Sequence, residues 1–365
     1  MPEVKLVNVT KRYGKIAAND HVTITINDGE YVSVIGPSGC GKTTLIKIIA
    51  GIIKPDEGEI YIDGKLVSDL PIEDRAIGYV FQNIALFPHM TVWGNITYGP
   101  RVRGWSMEET RPLALEMLEM IKVSTRSEAF PSELSSGMQQ KTAVARALTS
   151  RAELLLLDEP LGALDVKVRA ELRYELRRLV KELKLTAFHV THDQEEAMSI
   201  SDRVIVMKRG RIVEAGVPID LYNRPKNIFT ANFVGEANFL RGTVVQVSNE
   251  GSLVGIGEGL QLMTNSRDVS VGDRVVIAFR PEFASIGEGS VNRLSGKVDD
   301  LIYSGSLCRV KMKLTNGDLI VVKRTLGFGH SLCQIDDDIT VNVPPEDILV
   351  YPYPKDGLGK ELALE

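Results

Sequence analysis

Alternating apolar and polar positions mark "VKLVNV" (4–9) and "VTITI" (22–26) as β-strands, with "NDGE" a turn before a third strand. That third strand, "YVSVIG", is a near-continuous apolar run ending in glycine. "PSGCGKTTLIKIIAGI" follows as a glycine-rich loop entering an apolar helix, and "AIGYVF" (76–81) is another short strand. From about residue 90 to 150 the pattern is helical, most clearly in "MEETRPLALEMLEMI". "LLLL" (154–157) is a continuous apolar run bounded by charge, as expected of a parallel strand covered on both faces. "DVKVRAELRYELRRLVKELK" reads as an amphipathic helix and "TAFHVTH" as a strand running into a loop. The alternation of strands and helices predicts an α/β core with a mostly parallel sheet.

Near residue 235 the texture changes. "LRGTVVQVS", "DRVVIAFRP", "SGKVDDLIYSG", "CRVKMKL" and "DLIVVKR" are short β-like runs separated by turns such as "TNGD", with no long helical pattern. They predict a small all-β barrel or sandwich. The expected division is therefore an α/β domain over 1–235 and a β-domain over 236–365, joined through the proline-punctuated connection "NRPKNIFTANFVGEANF".

Composition narrows the class. With 44% apolar and 25% charged residues, 365 residues suffice for packed soluble cores. No apolar run approaches the ~18–20 residues that span a bilayer, and "MPEVKLVNVT" lacks the charged and apolar regions of a secretory signal. A net charge of −5 argues against a nucleic-acid partner. Three widely spaced cysteines, Cys40, Cys308 and Cys333, form neither a disulfide framework nor a zinc pattern, so a reducing cytosol is expected.

"GPSGCGKTT" (36–44) fits the phosphate-loop pattern G-x-x-x-x-G-K-[ST]. In Gly36, Pro37, Ser38, Gly39, Cys40 and Gly41, small residues let backbone N–H groups curl around phosphate oxygens, and the helix that follows adds its positive end. Lys42 reaches the β- and γ-phosphates, Thr43 offers a hydroxyl to Mg²⁺, and Thr44 completes the loop. Asp158 and Glu159 end the "LLLL" strand: Asp158 is suited to hold Mg²⁺ through water, Glu159 to deprotonate an attacking water. Gln82 and His192 also follow strands, at the carboxyl ends where ligands bind in doubly wound sheets. His189 lies inside its strand run and is read as packing.

With these motifs in place, the first ~235 residues resemble the ATP-binding subunit of an ABC transporter. "GPSGCGKTT" resembles its Walker A motif, "LLLLDEP" its Walker B with catalytic glutamate, "GALD" its D-loop and "LSSGMQQ" (134–140) its signature. The resemblance implies a P-loop core with a helical subdomain over about 83–155. It implies Gln82 as the Q-loop residue, near the chemistry and the metal, and His192 as the switch histidine. Tyr13 would stack on adenine, and Asp165 of the D-loop would belong to the ATP site. Ser135 and Gly137 would face the γ-phosphate of a second copy across a homodimer. Ser136 and Met138 depart from the usual LSGGQ; Met138 cannot supply amide hydrogen bonds, so a working signature with reduced grip is expected. Ala85, Leu86, Phe87 and Met90 are candidates either for docking membrane subunits or for filling the helical subdomain's own core.

"PIDLYNRPKNIFTANFVGEANFL" and "FRPE" resemble the segment after the ATPase domain in importers of the maltose/multiple-sugar type, which implies an OB-like C-terminal domain. The resemblance thus implies an ATP- and Mg²⁺-dependent ATPase at the cytoplasmic face of the membrane. Its partners would be integral-membrane permease subunits and, indirectly, an extracytoplasmic solute-binding protein, with no nucleic acid. Sugar is the first expectation for the solute. Polyamine, ferric-ion or molybdate import, or a soluble ABC ATPase with a regulatory role, are the alternatives.

Overall fold

The computed structural model describes residues 2–287, 289, 291–326 and 333–363 and divides into two compact units, Met1–Ile219 and Asp220–Glu365. The first unit opens with a long antiparallel hairpin, β1 (Val4–Tyr13) and β2 (Ile16–Ile26). Then come β3 (Tyr31–Ile35), α1 (Lys42–Ala50), β4 (Glu57–Ile62), β5 (Lys65–Leu66) and β6 (Ile77–Val80). The helical segment holds α2 (Val92–Val102), α3 (Met107–Met120) and α4 (Ser136–Thr149). The chain then returns as β7 (Leu154–Asp158), α5 (Val166–Glu182), β8 (Thr186–Val190), α6 (Gln194–Ile200), β9 (Arg203–Lys208) and β10 (Arg211–Gly216).

These strands form two sheets: an antiparallel one in the order β2-β1-β4-β5, and a six-stranded one in the order β10-β9-β3-β8-β7-β6. Within the larger sheet every pairing from β9 to β6 is parallel. All five residues of β3, of β7 and of β8 are buried, which is why their sequences show no alternation. One apolar core packs α1 and the antiparallel sheet against one face of the larger sheet, and a second packs α2, α3, α4 and α5 against β7 and β8. Local signals set the helix starts. Ser106 and Glu109 form a capping box on α3, Thr91 accepts from Gly94 N at the start of α2, and Asp165 accepts from Val168 N at the start of α5.

The second unit contains α7 (Pro218–Asn223, whose first residues precede the division), α8 (Ile228–Phe233) and the strands β11 (Asn238–Ser248), β12 (Gly251–Gly257), β13 (Leu260–Thr264) and β14 (Arg274–Phe279). It continues with β15 (Ser285–Ile286), β16 (Arg293–Ser304), β17 (Leu307–Leu314), β18 (Leu319–Thr325), β19 (Asp338–Asn342), β20 (Leu349–Pro352) and α9 (Leu358–Leu362). Two five-stranded antiparallel sheets, β13-β12-β11-β14-β20 and β15-β19-β16-β17-β18, share one apolar core.

The compact units divide ahead of the change in texture at residue 235, and the connection expected there holds a helix, α8, capped by Asn227. Arg280 of "FRPE" supplies the physical reason. Its side chain is buried, and its guanidinium donates to the carbonyls of Tyr222, Ala231 and Glu236 at 2.7–3.1 Å while lying over the Tyr222 ring. The segment before β11 is thereby fastened to the β-domain.

Candidate functional site

Parallel register brings distant residues to one edge of the six-stranded sheet. Val80 pairs with Leu157, Leu157 with His189 and Asp158 with Val190. The residues just beyond these strand ends, Gln82, Glu159 and His192, therefore leave the sheet side by side. Gln82 Nε2 donates to Glu159 Oε2 at 2.9 Å, and His192 Nδ1 lies 3.1 Å from the same oxygen. The carboxylate only accepts, so His192 carries its proton on Nδ1. Glu159 adopts φ +47, a left-handed conformation that costs a non-glycine residue about 1–3 kcal/mol and that other residues of the chain adopt in turns. Its amide is pinned to Val190 O at 2.8 Å.

The phosphate loop faces this trio across a cleft lined by Ser38, Gly39, Gly41, Lys42, Thr43 and Thr44 together with Gln82, Glu159 and His192. Lys42 is buried and its ammonium donates to Gly36 O at 2.7 Å and Pro37 O at 3.1 Å, so the charge is held within the loop. Two glycines are obligatory. A Cβ on Gly41, at φ +104, would stand 2.0 Å from Ala18 O, and one on Gly36 would stand 2.3 Å from Met207 O. Gly41 also begins α1 without a side-chain cap, which leaves the first N–H groups of the helix for an anion. The Cys40 sulfur accepts from the Lys42 ammonium at 3.8 Å. The thiol is turned into the core, where burial pushes its pKa up.

Asp158 is buried. Tyr79 OH donates to its Oδ2 at 3.0 Å, while Oδ1 has no hydrogen-bond partner. Burial raises its carboxyl above the ordinary carboxylate value and drives the Tyr79 phenol up as well. An orphaned buried carboxylate oxygen is an expensive feature unless a cation meets it. Mg²⁺ fits this donor set, since it uses one or two carboxylates and takes its other ligands from phosphate and water. Among the described residues no cluster of three or more His, Cys, Asp or Glu side chains is placed to hold a metal alone.

Of the expected site residues, Gly36, Pro37, Cys40 and Asp158 belong to the loop and strand that form this cleft without lining it, and Tyr13, Ser135, Gly137 and Asp165 lie apart from it in the single chain. Tyr13 sits at the tip of the β1–β2 hairpin, half exposed, with the Lys11 ammonium over its ring. Ser135 caps α4 by accepting from Met138 N at 3.4 Å. Asp165 is an exposed helix cap. Gly137 is buried, and a Cβ there would stand 2.8 Å from Val168 Cγ1, so its small size serves the packing of α4 on α5. Met138 packs its thioether against the helical core, an apolar role for the departure that a motif comparison does not disclose. Lys141 reaches across to Glu175 on α5 at 2.6 Å. Phe87 is half-buried against Tyr98 and beneath Arg146, Leu86 and Met90 are also half-buried, and Ala85 is exposed.

A phosphate loop and a strand-end Asp–Glu pair on a doubly wound sheet define a P-loop nucleoside triphosphatase. The model of the ABC transporter family matches residues 19–162, and that of the TOBE domain matches 277–350. The spermidine/putrescine import ATP-binding protein PotA of Rubrobacter xylanophilus is 41% identical over 324 residues, 88% of this chain and 86% of that protein. Its namesake in Thermotoga maritima is 37% identical over 95% of this chain and 97% of its own length. The fold resembles an ATP-binding cassette solved as a dimer in a post-hydrolysis state with ADP and Pi (37% identity, TM-score 0.53, 59% of this chain and 98% of that one). It also resembles the ADP form of another ABC transporter cassette (26% identity, TM-score 0.56, 63% of this chain and 98% of that one). The chain belongs to the ATP-binding subunits of ABC transporters: an ATPase that binds ATP and drives transport, with a C-terminal TOBE domain of the OB-like kind. Among the described residues no helix is long and apolar enough to cross a membrane.

Proposed function

We propose that this chain is the ATPase of a polyamine import system, working as a homodimer beneath integral-membrane permease subunits at the cytoplasmic face, with a solute-binding protein upstream. Near-full-length similarity to spermidine/putrescine import ATP-binding proteins carries the choice of solute and moves it from sugar to the alternative already open. The shared grip of Gln82 and His192 on Glu159, facing the phosphate loop, supports the hydrolytic reading.

In this reading Lys42 turns from the loop carbonyls to the β- and γ-phosphates, and the amides of residues 38–44 cradle the remaining oxygens. Thr43, Gln82 and Asp158 would hold Mg²⁺, which would supply neutralisation of charge on the phosphate oxygens. Glu159 takes a proton from the attacking water; Gln82 and His192 fix the carboxylate oxygen that receives it. Tyr13 offers its exposed ring to adenine. Ser135 and Asp165, both exposed, complete the site on the partner copy, with the uncapped part of the α4 N-terminus facing its phosphate, while the buried Gly137 sets how closely α4 packs on α5.

The solute assignment is tested by uptake of labelled compounds in the source cells with this gene deleted. Spermidine and putrescine uptake falls and maltose uptake is unchanged; the opposite pattern overturns the assignment.

A further inference from the structure

A chain of buried polar groups that the hydrolytic reading does not use lies directly beneath His192. Tyr31, on the strand that leads into the phosphate loop, and His189 on β8 are fully buried, and Tyr31 OH lies 3.1 Å from His189 Nδ1. On the other side of the ring, His189 Nε2 is 3.4 Å from Oε1 of Glu196 on α6, itself buried. The Thr191 hydroxyl donates to Glu196 Oε2 at 2.6 Å and accepts from the Asp193 amide at 3.0 Å. Thr191 N is tied to Val34 O on β3 at 3.2 Å. The Asp193 carboxylate accepts from Glu196 N at 3.0 Å and lies 3.5 Å from Arg169 and 3.7 Å from Arg173 on α5. Every residue flanking His192 is thus anchored, while His192 itself stays exposed.

Burial lowers the pKa of His189, so its ring is neutral. A carboxylate accepts only, so Nε2 carries the proton toward Glu196 and Nδ1 accepts from Tyr31 OH. Tyr31 fixes the His189 ring, and Thr191 ties Glu196 to the amide beside His192; between the two halves His189 Nε2 and Glu196 Oε1 face each other at 3.4 Å without a hydrogen bond. A buried carboxylate is costly unless its oxygens are met; Glu196 Oε2 is met by Thr191, which makes that hydroxyl its one side-chain anchor, while Oε1 has only the His189 ring 3.4 Å away and no hydrogen-bond partner.

We propose that Glu196, acting through Thr191 and with His189 behind it, is a positioning residue that aims His192 at Glu159. The proposal rests on the reading of His192 as the partner of Glu159 in hydrolysis. Glu196→Gln puts an amide opposite a second donor at His189 or Thr191. Thr191→Val removes the hydroxyl with little change of shape. Each breaks the chain without touching the nucleotide cleft.

The test uses the full chain with ¹³C-labelled histidine, reading the His192 ring signal by NMR alongside ATP turnover. Both variants shift or broaden the His192 signal and lower kcat by about tenfold to a hundredfold, with KM for ATP unchanged. Thr191→Ser, which keeps the hydroxyl, retains signal and turnover. In a His192→Ala background neither Glu196→Gln nor Thr191→Val adds a further loss. An unchanged His192 signal in both variants overturns the proposal, as does a loss in Thr191→Ser equal to that in Thr191→Val. Normal turnover in His192→Ala alone would instead remove the role given to His192, and the NMR signal still decides the positioning.

Discussion

Replacing Glu159 by glutamine separates chemistry from architecture at this site. Its Oε2 accepts from Gln82 Nε2 at 2.9 Å and faces His192 Nδ1 at 3.1 Å. The amide oxygen of a glutamine accepts in the same place, so both contacts survive and no buried donor is orphaned. The φ of +47 is retained at the same cost in either residue. Folding and nucleotide affinity are therefore expected to stay at wild-type levels. The substitution removes the basic oxygen that takes the proton of the attacking water. General-base catalysis contributes about 10²–10⁴ in rate, which at 1.36 kcal/mol per decade is about 2.7–5.4 kcal/mol of barrier. Single-turnover hydrolysis of ATP with Mg²⁺ should slow by that factor, and gel filtration with ATP should show an accumulated dimer. Wild-type hydrolysis in Glu159→Gln would mean that another group is the base and that the Gln82–Glu159–His192 arrangement has been misread.

Three further outcomes follow from the geometry. Gly41→Ala meets Ala18 O at 2.0 Å in a left-handed conformation. It should cost about 1–3 kcal/mol in thermal unfolding from the clash and abolish nucleotide binding, whereas Gly39→Ala, at φ +79 but with open space around it, carries the backbone strain without a clash and should lose less; equal melting of the two would refute the close-approach argument. Asp202 is partly buried, which raises its pKa, but hydrogen bonds from Lys181 and the Tyr31 amide outweigh this and hold it below its ordinary 3.8. Its stabilising contribution is therefore present above pH 3.8 and lost as pH falls through the folded value; Asp202→Asn should be less stable at pH 7, with the two proteins converging in more acid solution, and a gap that stays constant on acidification would contradict this. Residues 1–219 expressed alone should fold and bind ATP, because each unit has its own core; an insoluble fragment would show that the units do not fold independently.

The sites where chemistry requires a residue type at a fixed spacing were legible from the chain alone. "GPSGCGKTT" needs its strand and helix, and "LLLL" announces a strand buried on both faces; register then brings Asp158, Glu159, Gln82 and His192 together. What stayed hidden depends on distant partners. Arg280 looks like a strand end until its guanidinium is seen holding three carbonyls across some 40–60 residues of sequence separation. The connection near residue 228 reads as a loop because α8 is six residues long, too short for a periodic pattern. His189 was legible as buried, but Glu196 carries no motif, and only the packing of α6 on β3 brings its carboxylate to within 3.4 Å of the ring. Met138 looks like a loss within a motif, and its gain, a contact with the helical core, appears only in three dimensions.

Under the proposed function, the chain hydrolyses ATP at a site completed by a second copy of itself. The most direct measurement is ATP turnover per chain by the purified full-length protein with Mg²⁺, followed over a range of protein concentration. Turnover per chain should rise with concentration as dimers form and should vanish in Lys42→Ala. Turnover independent of concentration from dilute to concentrated protein, or wild-type turnover in Lys42→Ala, would contradict the claim.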